Sequence, residues 1–166
     1  MYFEASRSET MIAGAELTET PAAASLLVPV LLSLSKTTRA LMGIRLVALG
    51  LHQGQDELLM ALEVGKPASV SALSEKLFVR PSTVSKMLDR LCAKGLVERV
   101  TSPRDARLTL VCMTDSGDLV RAKVAQLWDT IEVELAGKLT PDARDSMMDA
   151  LGIIDSIIGT RLMRLR

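Results

Sequence analysis

The sequence predicts a mainly α-helical fold with one small β-hairpin, and three observations support this prediction. Aromatic residues make up only 2% of a chain that is 48% hydrophobic, so the core must be aliphatic, as in helix packing. Apolar residues recur every three or four positions along most of the chain, which is the period of an amphipathic helix. Alternation with a period of two occurs only between residues 97 and 113, around the turn sequence TSPRDAR.

The first half of the chain predicts three helices after a polar start. Residues 1–20 are polar and without periodicity, and we expect them to be disordered. Pro21 suits a first helical turn, and the apolar spacing predicts a long helix over 21–50. A second helix is expected over 55–64, ending at Gly-Lys-Pro. Ser71 is the better of two overlapping cap signals for a short third helix.

The second half predicts a helix, the hairpin and two further helices. Pro81 begins a helix that stops at Lys94-Gly95. Strands around 97–100 and 108–113 follow, joined by the charged turn. Thr114 to Gly117 begins a helix that runs to about Ala136. Thr140 and Pro141 then cap and start a last helix with a basic tail over 161–166.

The order of these elements is that of a winged helix-turn-helix domain with helical flanks. We expect four parts: the N-terminal segment (1–20), a dimerisation helix (21–50), the winged domain (51–117) and C-terminal dimerisation helices (118–166). The flanks are apolar on more than one face, which exceeds what a lone winged domain can cover. A two-fold dimer would bury those faces; the alternative is a monomer whose long helices pack on each other.

Positive charge is concentrated in the middle of a neutral chain. The 166 residues hold 20 basic and 20 acidic side chains. Residues 76–107 alone hold 8 basic and 3 acidic residues, which gives this segment a net charge of +5. A local excess of this kind indicates contact with a polyanion.

The helix that begins at Pro81 separates a polar stripe from an apolar one. Positions 82, 86 and 90 are four residues apart and share a face, with Thr83 beside them. Val84, Met87, Leu88 and Leu91 form the opposite seam. Small hydroxyls at the start and cations further along suit a recognition helix in a DNA major groove, where Ser82, Thr83, Lys86 and Arg90 would contact bases or phosphates. The alternative is an ordinary surface helix with solvated charges.

The tip of the predicted hairpin carries Arg104, Asp105 and Arg107. Arginine suits the negative potential of a narrow minor groove, and Asp105 can pair with one arginine and orient it. The tip is therefore predicted to enter the groove beside the one that the helix occupies. The alternative is a charged turn that only keeps the protein soluble.

Two segments carry a resemblance to a known family: VSALSEKLFVRPSTVSKMLDRLCAKGLVERV and SPRDARLTLVCMTDSG. From Leu51 to Gly117 the chain resembles the MarR family of bacterial transcription regulators. The second segment resembles the family's wing signature, an Asp and, two positions on, an Arg; here these are Asp105 and Arg107. The resemblance implies a homodimer with interleaved terminal helices, two winged domains on a roughly palindromic site, and often a small effector, commonly aromatic, that releases the DNA.

The resemblance also directs attention to further residues. Ser69, Ser71 and Arg80 are expected to contact DNA beside the recognition helix. The effector cavity of the family lies between the dimer helices and the winged domain, so His52, at a helix junction, is a candidate effector-binding residue. The alternative is a capping or solvated histidine. Few aromatic side chains are present to stack on an aromatic ligand.

Other classes of function find little support in the sequence. Cys92, Cys112 and one histidine are too few for a structural zinc site, and no cofactor motif or catalytic constellation occurs, so neither a metal, a cofactor nor enzyme activity is expected. No apolar run reaches the ~18 uncharged residues of a membrane span. The first residues, MYFEASRSET, lack the basic-then-apolar order of a secretory signal, so a cytoplasmic location is expected.

The function predicted from the sequence is a dimeric DNA-binding transcriptional regulator, most simply a repressor. A winged-helix module that binds protein instead of DNA is the first alternative, although it has little use for a +5 segment. A regulatory domain of an enzyme is the second, although no catalytic portion remains outside the flanks.

Overall fold

The computed structural model describes residues 26–102, 105 and 108–165. It is 70% helical, with a small antiparallel sheet. In chain order the elements are α1 (Leu27–Val47), α2 (Gln55–Ala61), β1 (Ala68–Ser69), α3 (Val70–Lys76), α4 (Pro81–Ala93), β2 (Val97–Thr101), β3 (Thr109–Met113), α5 (Asp115–Ala136) and α6 (Pro141–Arg164). The chain divides into two compact units between Thr37 and Thr38.

The helices of the first half agree with the prediction in order but not in every boundary. The predicted start of α1 at Pro21 lies outside the described residues, and the helix ends at Val47. α2 stops at Ala61, three residues before its predicted end, because Leu62 turns into an extended conformation and buries its side chain. Burial of a leucine side chain stabilises a fold by about 1.5–3 kcal/mol.

The expected cap of α3 was wrong. Ser69, not Ser71, is the N-cap: its hydroxyl accepts a hydrogen bond from the backbone N–H of Ala72 at 3.2 Å. The Ser71 hydroxyl lies 3.0 Å from that of Ser69 and is exposed. The helix therefore begins two residues earlier than predicted, at Val70, immediately after a strand.

That strand is the element that the sequence did not reveal. The sheet has three strands in the order β1-β3-β2, all antiparallel, where a two-stranded hairpin was expected. Ala68 pairs with Val111 and Ser69 with Leu110. A strand of two residues is too short to show alternation, so no sequence period could indicate it.

The core of the winged domain is aliphatic, as predicted. Its members come from every element from α1 to α5 except β1 and include Leu46, Leu51, Leu58, Leu59, Leu62, Leu73, Val84, Leu88, Leu91, Val97, Val111 and Val124. The core therefore joins the end of α1 and the first half of α5 to the helix-turn-helix and the sheet. The predicted winged helix-turn-helix is confirmed.

The start of α5 is fixed against the turn that follows α4. The hydroxyl of Thr114 accepts from the backbone N–H of Gly117 at 3.0 Å and donates to the carbonyl of Gly95 at 2.7 Å. A Cβ at Gly117 would lie 1.9 Å from the carbonyl oxygen of Leu96. Only glycine allows this approach of two backbones, so the wing and the long helix α5 are held together without an intervening side chain.

The terminal helices differ from the core in burial. No residue of α6 is buried, and its large exposed apolar residues are Met147, Met148, Leu151, Ile153, Ile157, Ile158 and Met163. In α1 only Leu46 is buried. By length and composition alone α1 is apolar enough to cross a membrane, although it carries Lys36, Arg39 and Arg45.

Candidate nucleic-acid interface

Helix α4 presents the polar stripe that its sequence predicts. Ser82, Thr83, Lys86 and Arg90 are exposed, whereas Val84, Leu88 and Leu91 are fully buried and Met87 is partly buried. The apolar seam anchors the helix in the core along its whole length. The stripe is therefore held rigidly at the surface and can be applied to a flat or grooved partner.

The orientation of α4 is set by its first residues and by the turn before it. Arg80 is an extended N-cap whose carbonyl accepts from the N–H groups of Thr83 (2.9 Å) and Val84 (3.2 Å), and Pro81 follows at the first helical position. Phe78, in the turn from α3, has a φ of 52° and is, within the described ranges, the one residue other than glycine with a positive φ. This left-handed residue gives the sharp change of direction between the two helices.

The positive charge of the segment is divided between structural and free cations. Lys76 donates to the carbonyl of Ala61 at 2.9 Å, Lys94 donates to the carbonyl of Gly50, and Arg99 pairs with Asp89 at 2.7 Å. In the part of the chain that the structure describes, the side chains of Arg80, Lys86 and Arg90 make no such bond. The count of +5 could not show this division, because it depends on tertiary neighbours.

Ser69 and Ser71 lie together at the start of α3. Ser69 is partly buried and its hydroxyl is engaged as the helix cap, while Ser71 is exposed. Ser69 caps α3 and Ser71 lies in its first turn, in the helix that precedes α4. Their predicted contact with phosphate remains a proposal.

The wing closes at the base of its tip. Ser102 donates its backbone N–H to the carbonyl of Leu108 at 2.9 Å, and Leu108 donates to the carbonyl of Asp105 at 3.0 Å. Asp105 is exposed. Arg104 and Arg107 lie outside the described residues, so the structure places only the carboxylate of the predicted tip.

His52 is exposed in the connection between α1 and α2. Its backbone N–H donates to the side-chain carbonyl of Gln55 at 2.9 Å, and Gln55 is buried. The imidazole does not line either of the two cavities described next. Its predicted role in effector binding stays untested.

Two cavities adjoin the winged domain. The first, of about 490 Å³, lies among α1, α2, α5 and α6; we call it the Trp128 cavity after its aromatic wall residue. The second, of about 530 Å³, includes Thr83 and Met87 of α4 and Leu162 of α6; we call it the Thr83 cavity. The two share the wall residues Thr38, Met42, Asp56 and Glu57. The family resemblance implied a cavity between the terminal helices and the winged domain, but the sequence did not indicate these wall residues, because they come from positions far apart in the chain.

The described residues form no candidate metal site. No group of three or more His, Cys, Asp or Glu side chains there is arranged to hold a metal ion. Cys92 and Cys112 are free thiols, both partly buried, and Cys92 packs against the core.

Comparison with known proteins gives matches concentrated in the winged domain. Residues 49–108 match the sequence model of the MarR family. The HTH-type transcriptional repressor MdtR of Bacillus subtilis is 34% identical over 70 residues, which are 42% of this chain and 45% of MdtR. The multiple antibiotic resistance protein MarR of Escherichia coli is 38% identical over 71 residues, 42% of this chain and 49% of MarR. The chain thus matches less than half the length of these curated relatives.

A solved structure extends the likeness beyond the winged domain. A mutant of MarR from E. coli, complexed with operator DNA, superimposes with a TM-score of 0.71 at 25% identity. The superposition covers 82% of this chain and 99% of that one. Since residues 49–108 are little more than a third of the chain, the structural similarity extends into its helical flanks.

Proposed function

Because residues 49–108 match the sequence model of the MarR family, we propose that this chain is a transcriptional regulator that binds double-stranded DNA as a homodimer. The single observation that carries the proposal is the exposed stripe on α4, whose cations have no partner in the described part of the chain. In this proposal Ser82 and Thr83 approach base edges in the major groove, and Lys86 and Arg90 contact bases or phosphates. Arg80, Ser69 and Ser71 contact the phosphates beside them.

The wing supplies the second groove contact. Arg104 and Arg107 enter the adjacent minor groove, where arginine is favoured by the negative potential. Asp105, exposed at the tip, orients one of them. The three-stranded sheet supports this role, because β1 and β2 hold β3 from both sides and so fix the base of the hairpin.

The terminal helices form the dimer. The exposed apolar side chains of α6 and of α1 are those of a surface that a second chain would bury. Two winged domains related by a two-fold axis would present their α4 helices about 34 Å apart, one turn of DNA, and would read a roughly palindromic site. Repression is the simplest mode of action, and the relative MdtR carries that name.

A membrane is a less suitable partner for α1. Lys36 and Arg39 lie near the middle of the helix. Each charge at the centre of a bilayer costs about 2.5–3.5 kcal/mol, whereas in a dimer the same side chains extend to solvent. We therefore propose that the protein is cytoplasmic. We also propose, from the family resemblance, that a small-molecule effector releases the DNA.

The experiment compares Lys86→Ala with the unmodified protein in a titration of duplex DNA at several salt concentrations. A lysine on a phosphate contributes one released counterion, so the slope of log affinity against log salt should fall by about one. Lys138→Ala, an exposed lysine between α5 and α6, removes the same charge away from the stripe and should leave the slope unchanged. Equal slopes for all three proteins would mean that Lys86 does not contact the DNA backbone. Binding that is insensitive to salt would favour a protein partner instead of DNA.

A further inference from the structure

The Trp128 cavity is acidic although the protein is neutral. Three carboxylates line it, from Asp56, Glu57 and Glu132, against one cation, Arg144. The Arg144 guanidinium is engaged with Glu132 at 2.6 Å. This pair leaves the charges of Asp56 and Glu57 uncompensated, so the cavity carries a net negative charge of about two.

Asp56 is the critical residue because it is buried. Only 4% of its surface is exposed, and its Oδ1 accepts one hydrogen bond, from the backbone N–H of Gly54 at 3.1 Å. Among the described residues no cation lies within ion-pair distance of Asp56 or Glu57. A buried carboxylate without a cation is costly, and a positively charged ligand would relieve that cost.

The remaining walls suit an apolar body of variable shape. Met42, Met147 and Met148 line the cavity with Trp128, Ile131 and Leu135. Methionine side chains adapt to irregular ligands, and an indole face attracts a cation. The Nε1–H of Trp128 is buried and without a hydrogen-bond partner in the described part of the chain, so the indole also retains capacity for a ligand acceptor.

From these observations we infer that the Trp128 cavity binds an apolar organic cation. This inference rests on the proposed function for one point only, that the cation acts as the effector of the regulator. An anionic aromatic acid is disfavoured, because it would meet Asp56 and Glu57 without a free cation to receive its charge.

The position of the cavity links it to α4. Asp56, Glu57, Thr38 and Met42 also line the Thr83 cavity, whose far wall includes Thr83 on the exposed stripe. A ligand that displaces the shared wall therefore acts on side chains one cavity away from the proposed DNA contact. The four shared wall residues are enough to connect a bound ligand to α4.

The experiment uses the full chain and a matched pair of probes, tetraphenylphosphonium and tetraphenylborate, which have similar size and opposite charge. The protein contains a single tryptophan, so its fluorescence reports on the cavity wall directly. We expect saturable quenching by the cation, with a dissociation constant at least tenfold lower than that of the anion. Tighter or equal binding of the anion would overturn the inference. Absence of binding by both ions would also overturn it and would mean that a second chain fills the cavity.

Two variants locate the preference. Asp56→Asn keeps an acceptor for the Gly54 N–H and removes the charge, and it should reduce the cation-to-anion preference several-fold. Asp149→Asn, on the exposed surface of α6 and outside the cavity, is the control of equal charge change and should keep the preference. An unchanged preference in Asp56→Asn would overturn the assignment. The two ions compared on the unmodified chain need no variant to fold.

Effector action is measured separately by a gel shift with and without the cation. We expect tetraphenylphosphonium to weaken DNA binding at least threefold in the unmodified protein and less in Asp56→Asn. DNA binding that ignores a bound cation would overturn the effector role. Absence of DNA binding in ligand-free protein would instead reject the proposed function.

Discussion

The winged domain and helix α6 are both rich in large apolar side chains, yet one buries these residues and the other does not. Leu88 in α4 is 0% exposed, whereas Ile157 in α6 is 51% exposed. The difference shows that apolar content alone does not say what a helix packs against. The winged domain completes its core within one chain, whereas α6 leaves an apolar surface that a second chain would bury in the proposed dimer.

The largest test of this comparison is truncation of one apolar side chain in each region. Leu88→Ala should lower the free energy of unfolding by about 2–5 kcal/mol at any protein concentration, because it leaves a cavity in a closed core. Ile157→Ala should instead weaken dimerisation, by about 1–3 kcal/mol, and its effect on unfolding should depend on concentration. Urea denaturation at two concentrations, with analytical ultracentrifugation, separates the two. Concentration-independent loss in both variants would mean that α6 is not a dimer surface.

Substitution of two glycines by alanine gives a second test, and the two changes in the free energy of unfolding should have opposite signs. Gly117→Ala would place a Cβ 1.9 Å from the Leu96 carbonyl oxygen and should destabilise the fold by roughly 1–3 kcal/mol or more. Gly152→Ala, in α6, meets nothing within 4 Å and should stabilise its helix by up to about 1 kcal/mol. Thermal unfolding measures both. A loss at Gly152 would indicate that a second chain packs closely there.

Two threonine caps provide a smaller contrast. Thr114 makes two hydrogen bonds, one within α5 and one to the turn after α4, whereas Thr140 makes a single cap bond to Ala143 at 3.3 Å. Thr114→Ala should cost about 1–2 kcal/mol and Thr140→Ala about 0.5–1 kcal/mol. Chemical denaturation of both variants checks the order. Equal costs would mean that the bond to Gly95 adds nothing.

The smallest effect concerns an exposed ion pair within the winged domain. The hydrogen bond from Lys66, at 2.5 Å, and its charge lower the pKa of Glu63, and the same contact raises the pKa of Lys66. The pair therefore stabilises the fold between these two values; the contribution is lost as pH falls through the pKa of Glu63 or rises through that of Lys66. Lys66→Gln should raise the pKa of Glu63 toward its ordinary value, measured by NMR titration. An unmoved Glu63 would assign its shift to another group.

The sequence predicted the parts of the fold that carry local signals. Pro81 and Gly95 mark both ends of α4, and the four-residue spacing of its polar stripe is visible without tertiary information. The cap of α3 was assigned wrongly because Ser71 carries the better local signal, whereas Ser69 stands at the start of the helix as the last residue of β1, paired with Leu110. Strand β1 has no period of its own and exists only because β3 lies beside it.

The site was predictable in the same uneven way. The exposed residues of α4 follow from periodicity, but the engagement of Lys76, Lys94 and Arg99 depends on neighbours 10 to 44 positions away in sequence. The cavities depend on even more distant residues. Asp56 carried no sequence signal, because a carboxylate in the first turn of a helix is ordinarily a solvated residue that favours the helix dipole.

Ser69 has two structural roles and one proposed role in binding. It is the last residue of β1, paired with Leu110, and the N-cap of α3, and we propose that it contacts phosphate. Each of these roles alone allows many amino acids. Together they require an extended backbone for the strand end, a short acceptor for the cap and a donor for the phosphate. Serine, threonine and asparagine are the side chains that meet all of these demands. Fewer amino acids should therefore be tolerated at position 69 than at any neighbouring surface position.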